Sequence, residues 1–170
     1  MVPRRTALSN AKAMTKPSSP ATGGKYLTLF LGAEEYGIEI LKVQEIIRVL
    51  PITRVPRMPA FVRGVINLRG RIVPVLELRE RFGMDRSAEA RENCIIVVRT
   101  GSLSLGMLVD RVNEVMTVAD GEIEPVPDFG VAVDTKDLLG VARRGERVVL
   151  LLDIDRAVTR DEAEALVPAG

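Results

Sequence analysis

The chain has 170 residues, 46% hydrophobic and 28% charged, with 24 basic and 23 acidic side chains. That suits one ordinary globular domain or two very small ones. It contains no histidine, no tryptophan and one cysteine, which excludes a Ser-His-Asp triad, an imidazole base, His-ligated zinc and an internal disulfide.

A single cysteine fits a reducing, cytoplasmic compartment. The longest apolar runs, such as Val148 to Leu152, fall far short of the roughly twenty residues a membrane-spanning helix needs. Residues 1–25 carry Arg4, Arg5, Lys12, Lys16 and Lys25 and no acid, and lack an apolar stretch of signal-peptide type. Low hydrophobicity with charge of one sign predicts a disordered basic tail. The rest of the chain carries 19 basic and 23 acidic groups.

Along the body, short apolar runs alternate with Gly and Pro. Tyr26 to Leu31 reads as a strand, Gly32 to Glu35 as a turn, and Tyr36 to Ile40 as a second strand. In Leu41 to Val49, Val43, Ile46 and Ile47 fall on one stripe of a short helix. Pro51, Pro56 and Pro59 leave Ile52 to Val55 room for a short or edge strand only. Val65 to Arg69 and Arg71 to Val75 form a hairpin on Gly70, and Glu77 to Phe82 adds a helical turn or two. Gly83 to Glu92 is a polar connector. Cys94 to Thr100 and Leu103 to Val109 flank a second hairpin turn at Gly101-Ser102. Val112, Val115 and Val118 fit strand or helix. Past Pro125 and Pro127, strands are expected at Leu138 to Ala142 and Val148 to Leu152. A helix over Asp161 to Leu166 closes the chain, its acids suited to the positive end.

About ten short strands with little helix between them predict an all-β fold of two small barrels sharing a hydrophobic seam. The connector at 83–92 divides the strands into two groups of about five.

The chain offers little reaction chemistry. GxxxxG occurs at Gly32/Gly37, Gly101/Gly106 and Gly140/Gly145, never followed by Lys, so no phosphate loop is formed. Cys94 opens the apolar run CIIVV and reads as an inert core thiol. The acid pairs Glu34/Glu35 and Glu122/Glu124 fall in turns and read as solubility residues. No catalytic set emerges, and none of the spacings suits a metal or a cofactor.

Charge, however, is segregated. Arg48 to Arg81 holds eight arginines against Glu77 and Glu80, while Asp110 to Asp137 holds eight acids against Arg111 and Lys136. The two stretches either neutralise each other within the fold or serve as docking surfaces, for which arginine is favoured. A barrel that binds nucleic acid is the competing reading; 4% aromatics and an acidic body argue against it.

These residues carry a resemblance. Tyr36-Gly37-Ile38, Val43-x-Glu45-Ile46 and the run from Val55-Pro56 through Pro59, Phe61 and Gly64-Val65-Ile66-Asn67-Leu68-Arg69-Gly70 into Ile72-x-Pro74-Val75 are similar to the CheW family, the coupling adaptors of bacterial chemotaxis arrays. Gly106-x-x-Val109-Asp110-x-Val112-x-Glu114-Val115, Ile123-x-Pro125-x-Pro127, Gly140 and Leu151-Leu152-Asp153 follow in the same order. The resemblance implies two SH3-like five-stranded barrels on a shared core over residues 26–167, with strands open to exchange between them. It implies no catalysis and no cofactor. The partners it implies are the cytoplasmic tip of methyl-accepting receptors and the regulatory domain of a histidine autokinase, and the location is cytoplasmic, at receptor arrays on the inner membrane, without membrane insertion or nucleic acid. The family's receptor-binding surface maps to Ile40, Val43, Glu45, Gly64, Arg69, Val112 and Val115. Its kinase contact maps to Glu124, Pro125 and Phe129. The chain ends soon after its terminal helix, so the resemblance is to the free-standing adaptor rather than to the adaptor–receiver fusion or the kinase.

Overall fold

Alternating apolar residues dictate the architecture, and most of it is strand. The computed structural model describes residues 23–85, 92–126 and 137–157, so the tail before Gly23, Pro127, Phe129 and the expected terminal helix lie outside the described residues. The strands are β1 (Gly24–Leu31), β2 (Glu34–Glu39), β3 (Val43–Arg48), β4 (Val62–Leu68), β5 (Arg71–Glu77), β6 (Cys94–Thr100), β7 (Leu103–Val109), β8 (Arg111–Val118), β9 (Ile123–Glu124), β10 (Leu138–Arg144) and β11 (Arg147–Leu152). Two four-residue helices, Leu78–Arg81 and Ile154–Ala157, follow β5 and β11.

The strands form two sheets, ordered β8-β1-β2-β11-β10-β9 and β3-β6-β7-β5-β4. Each has one parallel pair, β2 with β11 and β7 with β5; the other pairs are antiparallel. The all-β expectation is met, and the sheets are SH3-like barrels. Each is closed by the chain running on beyond its edge strand. Past β3, Thr53 bridges Val65 of β4 through hydrogen bonds of 2.8 and 2.9 Å. Past β8, β9 pairs with Val141 and Ala142 of β10. The sixth strand of the first sheet is this closing piece.

The connector at 83–92 joins β5 to β6 within one sheet, so it does not divide the barrels. It separates two successive runs, β1 to β5 and β6 to β11, and each run lends its first hairpin to the barrel completed by the other. The first three strands of the two runs match at a constant offset: Gly32 with Gly101, Gly37 with Gly106, and Val43-Gln44-Glu45-Ile46 with Val112-Asn113-Glu114-Val115. Gly37 faces Leu151 across its parallel pair, and Gly106 faces Val75 across the other.

The exchange sets the core. The odd residues Ile95 and Val97 of β6 point into the second barrel with Ile66, Leu68, Val73 and Val75. Ile96 and Val98 point the other way, into a shared core with Leu27, Leu29, Tyr36, Ile38, Leu105, Met107 and Leu152. Tyr26, Met116, Val118, Val149 and Leu151 fill the first barrel.

Residues 43–48 are strand rather than helix. Val43, Glu45 and Ile47 are partly buried while Gln44, Ile46 and Arg48 are exposed, and the free edge of β6 supplies hydrogen-bond partners that a short helix cannot match. Val112, Val115 and Val118 likewise lie on a strand, β8. Glu35 is not a turn residue: it begins β2 and is buried. Cys94 is partly buried, and burial pushes its thiol up, as an inert thiol requires.

A Cβ on Gly106 would stand 2.7 Å from Ile95 Cγ2. Gly106→Ala is therefore expected to destabilise the protein by about 1–3 kcal/mol through overpacking, read as a lower urea midpoint with an unchanged m-value.

Candidate functional site

The chain passes from the first barrel to the second through a 3-10 turn, Ile40–Lys42. The turn is pinned from outside. Lys42 Nζ donates to Asp155 Oδ2 at 2.8 Å, and Thr100 Oγ1 donates to Asp155 Oδ1 at 2.8 Å. Leu41, between Ile40 and Lys42, is 95% exposed.

Six of the seven residues expected at the receptor surface fall into three groups. Ile40, Val43 and Val112 are partly buried and pack against the shared core; they give the surface a rigid apolar floor. Val115 is half exposed on β8 of the first barrel. Glu45 and Arg69 form an ion pair on the second barrel, bringing together residues far apart in sequence.

Arg69 gains its position from the hairpin. Arg69 and Gly70 have φ of 51° and 88°, the left-handed pair of a two-residue turn that matches strand twist. Asn67 Oδ1 accepts from Gly70 N at 2.8 Å. A non-glycine residue at positive φ carries strain of order 1 kcal/mol, and here it aims the guanidinium at Glu45. The Arg69 hydrogen bond holds the Glu45 carboxyl below its ordinary range.

Gly64 is accounted for within the fold. At φ 144° its missing Cβ would lie 2.1 Å from the Thr53 carbonyl oxygen. The chain itself makes the close approach at this glycine, at the bridge that closes the barrel.

The matching mouths of the two barrels carry equivalent polar sets, which sequence reading missed. In the first, Arg147 Nη2 and Asn113 Nδ2 donate to Glu35 Oε2 at 2.8 and 3.0 Å, and Arg147 also pairs with Glu114 at 2.8 Å. In the second, Arg71 Nη2 donates to Ser104 Oγ at 3.1 Å, which donates to Gln44 Oε1 at 2.8 Å. Exposed apolar residues match too: Ile46 with Val115, and Ile72 with Val148. The signal was the repeat VQEIIRV and VNEVMTV, in which Ile46 and Glu45 are equivalent to Val115 and Glu114.

The segregated charges are neutralised locally for the most part. Arg79 with Asp110 (Nε to Oδ1, 2.9 Å) and Arg81 with Asp137 (3.8 Å) link the basic and acidic stretches. Glu122 and Glu124 pair instead with Arg144 and Arg143. Of the expected kinase contact, Glu124 thus sits beside a compensating arginine, and Pro125 is exposed next to it. Among the described residues no group of three or more His, Cys, Asp or Glu side chains is arranged to hold a metal ion, and no helix is long and apolar enough to cross a membrane.

A family model for the CheW-like domain matches residues 25–162. The chain is 36% identical over 155 residues to the chemotaxis protein CheW of Klebsiella aerogenes, covering 91% of this chain and 93% of that one. It is 31% identical over 148 residues to the Bacillus subtilis chemotaxis protein CheW, covering 86% and 94%. The crystal structure of the scaffolding protein TtCheW from Thermoanaerobacter tengcongensis superposes with a TM-score of 0.78 at 31% identity, over 86% of this chain and all of that one.

Burial alone would raise the Glu35 carboxyl, but hydrogen bonds from Arg147, Asn113 and Thr28 hold it below its ordinary value. A carboxyl depressed in the folded state stabilises above its unfolded pKa and loses that contribution as pH falls through the folded one. Glu35→Gln is expected to cost about 1–3 kcal/mol at pH 7, with the deficit shrinking in urea titrations run below about pH 4.

Proposed function

Because the chain belongs to the CheW family of chemotaxis scaffolds, we propose that it couples chemoreceptors to a histidine autokinase, bridging the receptors' cytoplasmic hairpin tip and the kinase's regulatory domain. The observation that carries this reading is the Glu45–Arg69 pair on an edge strand whose neighbours, Ile40 and Val43, are seated on the shared core. Apolar side chains on a rigid floor receive one face of a helix, and a charged pair at the rim fixes its register. Val112 and Val115 on β8 extend this surface onto the first barrel, and Gly64 contributes by keeping the loop across β4 in place.

Glu124, Pro125 and Phe129 form the proposed kinase contact. With Glu124 compensated by Arg143, this contact relies on the apolar Pro125 and Phe129 more than on net charge. The adaptor works without chemistry of its own. Receptor state reaches the kinase as a coupling free energy between two interfaces on one rigid body. Its place is the cytoplasmic side of the receptor array.

The test is calorimetric titration of the full chain with a receptor hairpin fragment and with the kinase regulatory domain from the same genome. Micromolar binding to both, about −8 kcal/mol each, is the expected outcome; binding to neither overturns the reading. Arg69→Glu is expected to weaken receptor binding by roughly tenfold or more with an unchanged melting temperature. Phe129→Ser is expected to spare receptor binding and reduce binding of the kinase domain.

A further inference from the structure

The loop that closes the second barrel encloses an open cleft of about 370 Å³, walled by Ile52, Val55, Met58 and Val62 and edged by Arg54, Arg57 and Arg63. The walls are tied in place. Thr53 is bridged to Val65, Val62 N donates to Pro59 O at 2.9 Å, and Glu77 N donates to Phe61 O at 2.7 Å. Arg63 is held by Glu77 at 2.7 Å. Arg54 and Arg57 are exposed and have no carboxylate partner among the described residues. Glu80 also lines the cleft and is itself engaged. Two guanidinium groups without a carboxylate partner among the described residues, at a cleft lined by both polar and apolar side chains, suit a short segment that carries carboxylates beside small and branched apolar side chains.

Such a segment follows directly. The last described turn ends at Ala157, whose carbonyl accepts from Arg81 Nε at 2.8 Å. The Arg81 guanidinium lies over the Phe61 ring, 5.4 Å from its centre, and Phe61 stands between Ala60 and Val62 of the cleft wall. The chain therefore leaves Ala157 beside the cleft. Val158 to Arg160, at about 3.3 Å per extended residue, spans roughly 10 Å, after which come Asp161, Glu162 and Glu164, interleaved with Ala163, Ala165, Leu166 and Val167. We infer that this acidic segment of the same chain occupies the cleft, its carboxylates on Arg54 and Arg57 and its apolar side chains on Val55, Met58 and Val62. It masks a basic docking surface on the second barrel, whichever partners the chain has at its other faces.

The test uses the full chain with Ala60→Cys at the cleft rim, labelled by a maleimide; Cys94, whose thiol burial pushes up, is the slow internal control. Replacing Asp161, Glu162 and Glu164 by Asn, Gln and Gln is expected to speed labelling of the new thiol about tenfold, as a local opening equilibrium shifts. Arg57→Glu is expected to do the same, and Arg57→Glu combined with Glu162→Arg to restore the slow rate. Rates independent of protein concentration support the intramolecular contact. Equal rates with and without the acids overturn it, as does protection that is lost on dilution, which would assign the cleft to a second copy.

Discussion

The shared core is the constraint on which the rest of the molecule depends. It forms because each run of strands gives its first hairpin to the other barrel, so that β6 and β7 are buried on both faces. Leu105 and Met107 of β7 face Leu27, Leu29, Tyr36 and Ile38 in the shared core, while Leu108 faces the interior of the second barrel. A barrel of about sixty residues is a marginal independent core; two that share a third cluster are not independent. Ile40, Val43 and Val112 rest on that same cluster, and so the proposed receptor surface is as rigid as the core beneath it.

The repeat also explains where polar groups are tolerated inside. Each barrel mouth is filled by an arginine from its β5 or β11 strand, a polar residue from β7 or β2, and an amide from β3 or β8. In the first barrel the middle position is a carboxylate, Glu35, which takes donors from both sides. In the second it is Ser104, and the acid one place further along β3, Glu45, turns outward to Arg69. Because Ser104 and Gln44 complete their mouth without Glu45, that acid is left at the surface, where it holds the turn arginine that the proposed function relies on.

Arginine distribution follows the same division. Arg143, Arg144 and Arg147 quench the acidic stretch close to home. The basic stretch, by contrast, spends only Arg79 and Arg81 on it, which leaves Arg54 and Arg57, at the loop that closes the second barrel, without a carboxylate partner among the described residues. Three prolines and the Thr53 bridge fix that loop, and the two guanidinium groups are therefore held on a stiff frame.

Much was legible in sequence. Alternation, Gly-centred turns and β-branched runs set the all-β class, both hairpins at Gly70 and Gly101-Ser102, and the helical turn after Glu77, because these depend on neighbours along the chain. The run from Gly64 to Gly70, followed in order by Gly106-x-x-Val109-Asp110, carried the family. The tertiary structure alone decided the strand state of 43–48, since a helical stripe and an edge strand offer the same apolar residues and only the free edge of β6 chooses between them. It also decided the burial of Glu35, the role of Gly64 and the exchange of hairpins between barrels. Each of these turns on contacts between segments distant in sequence, and backbone pairing across such distances leaves no periodic trace in the chain that makes it.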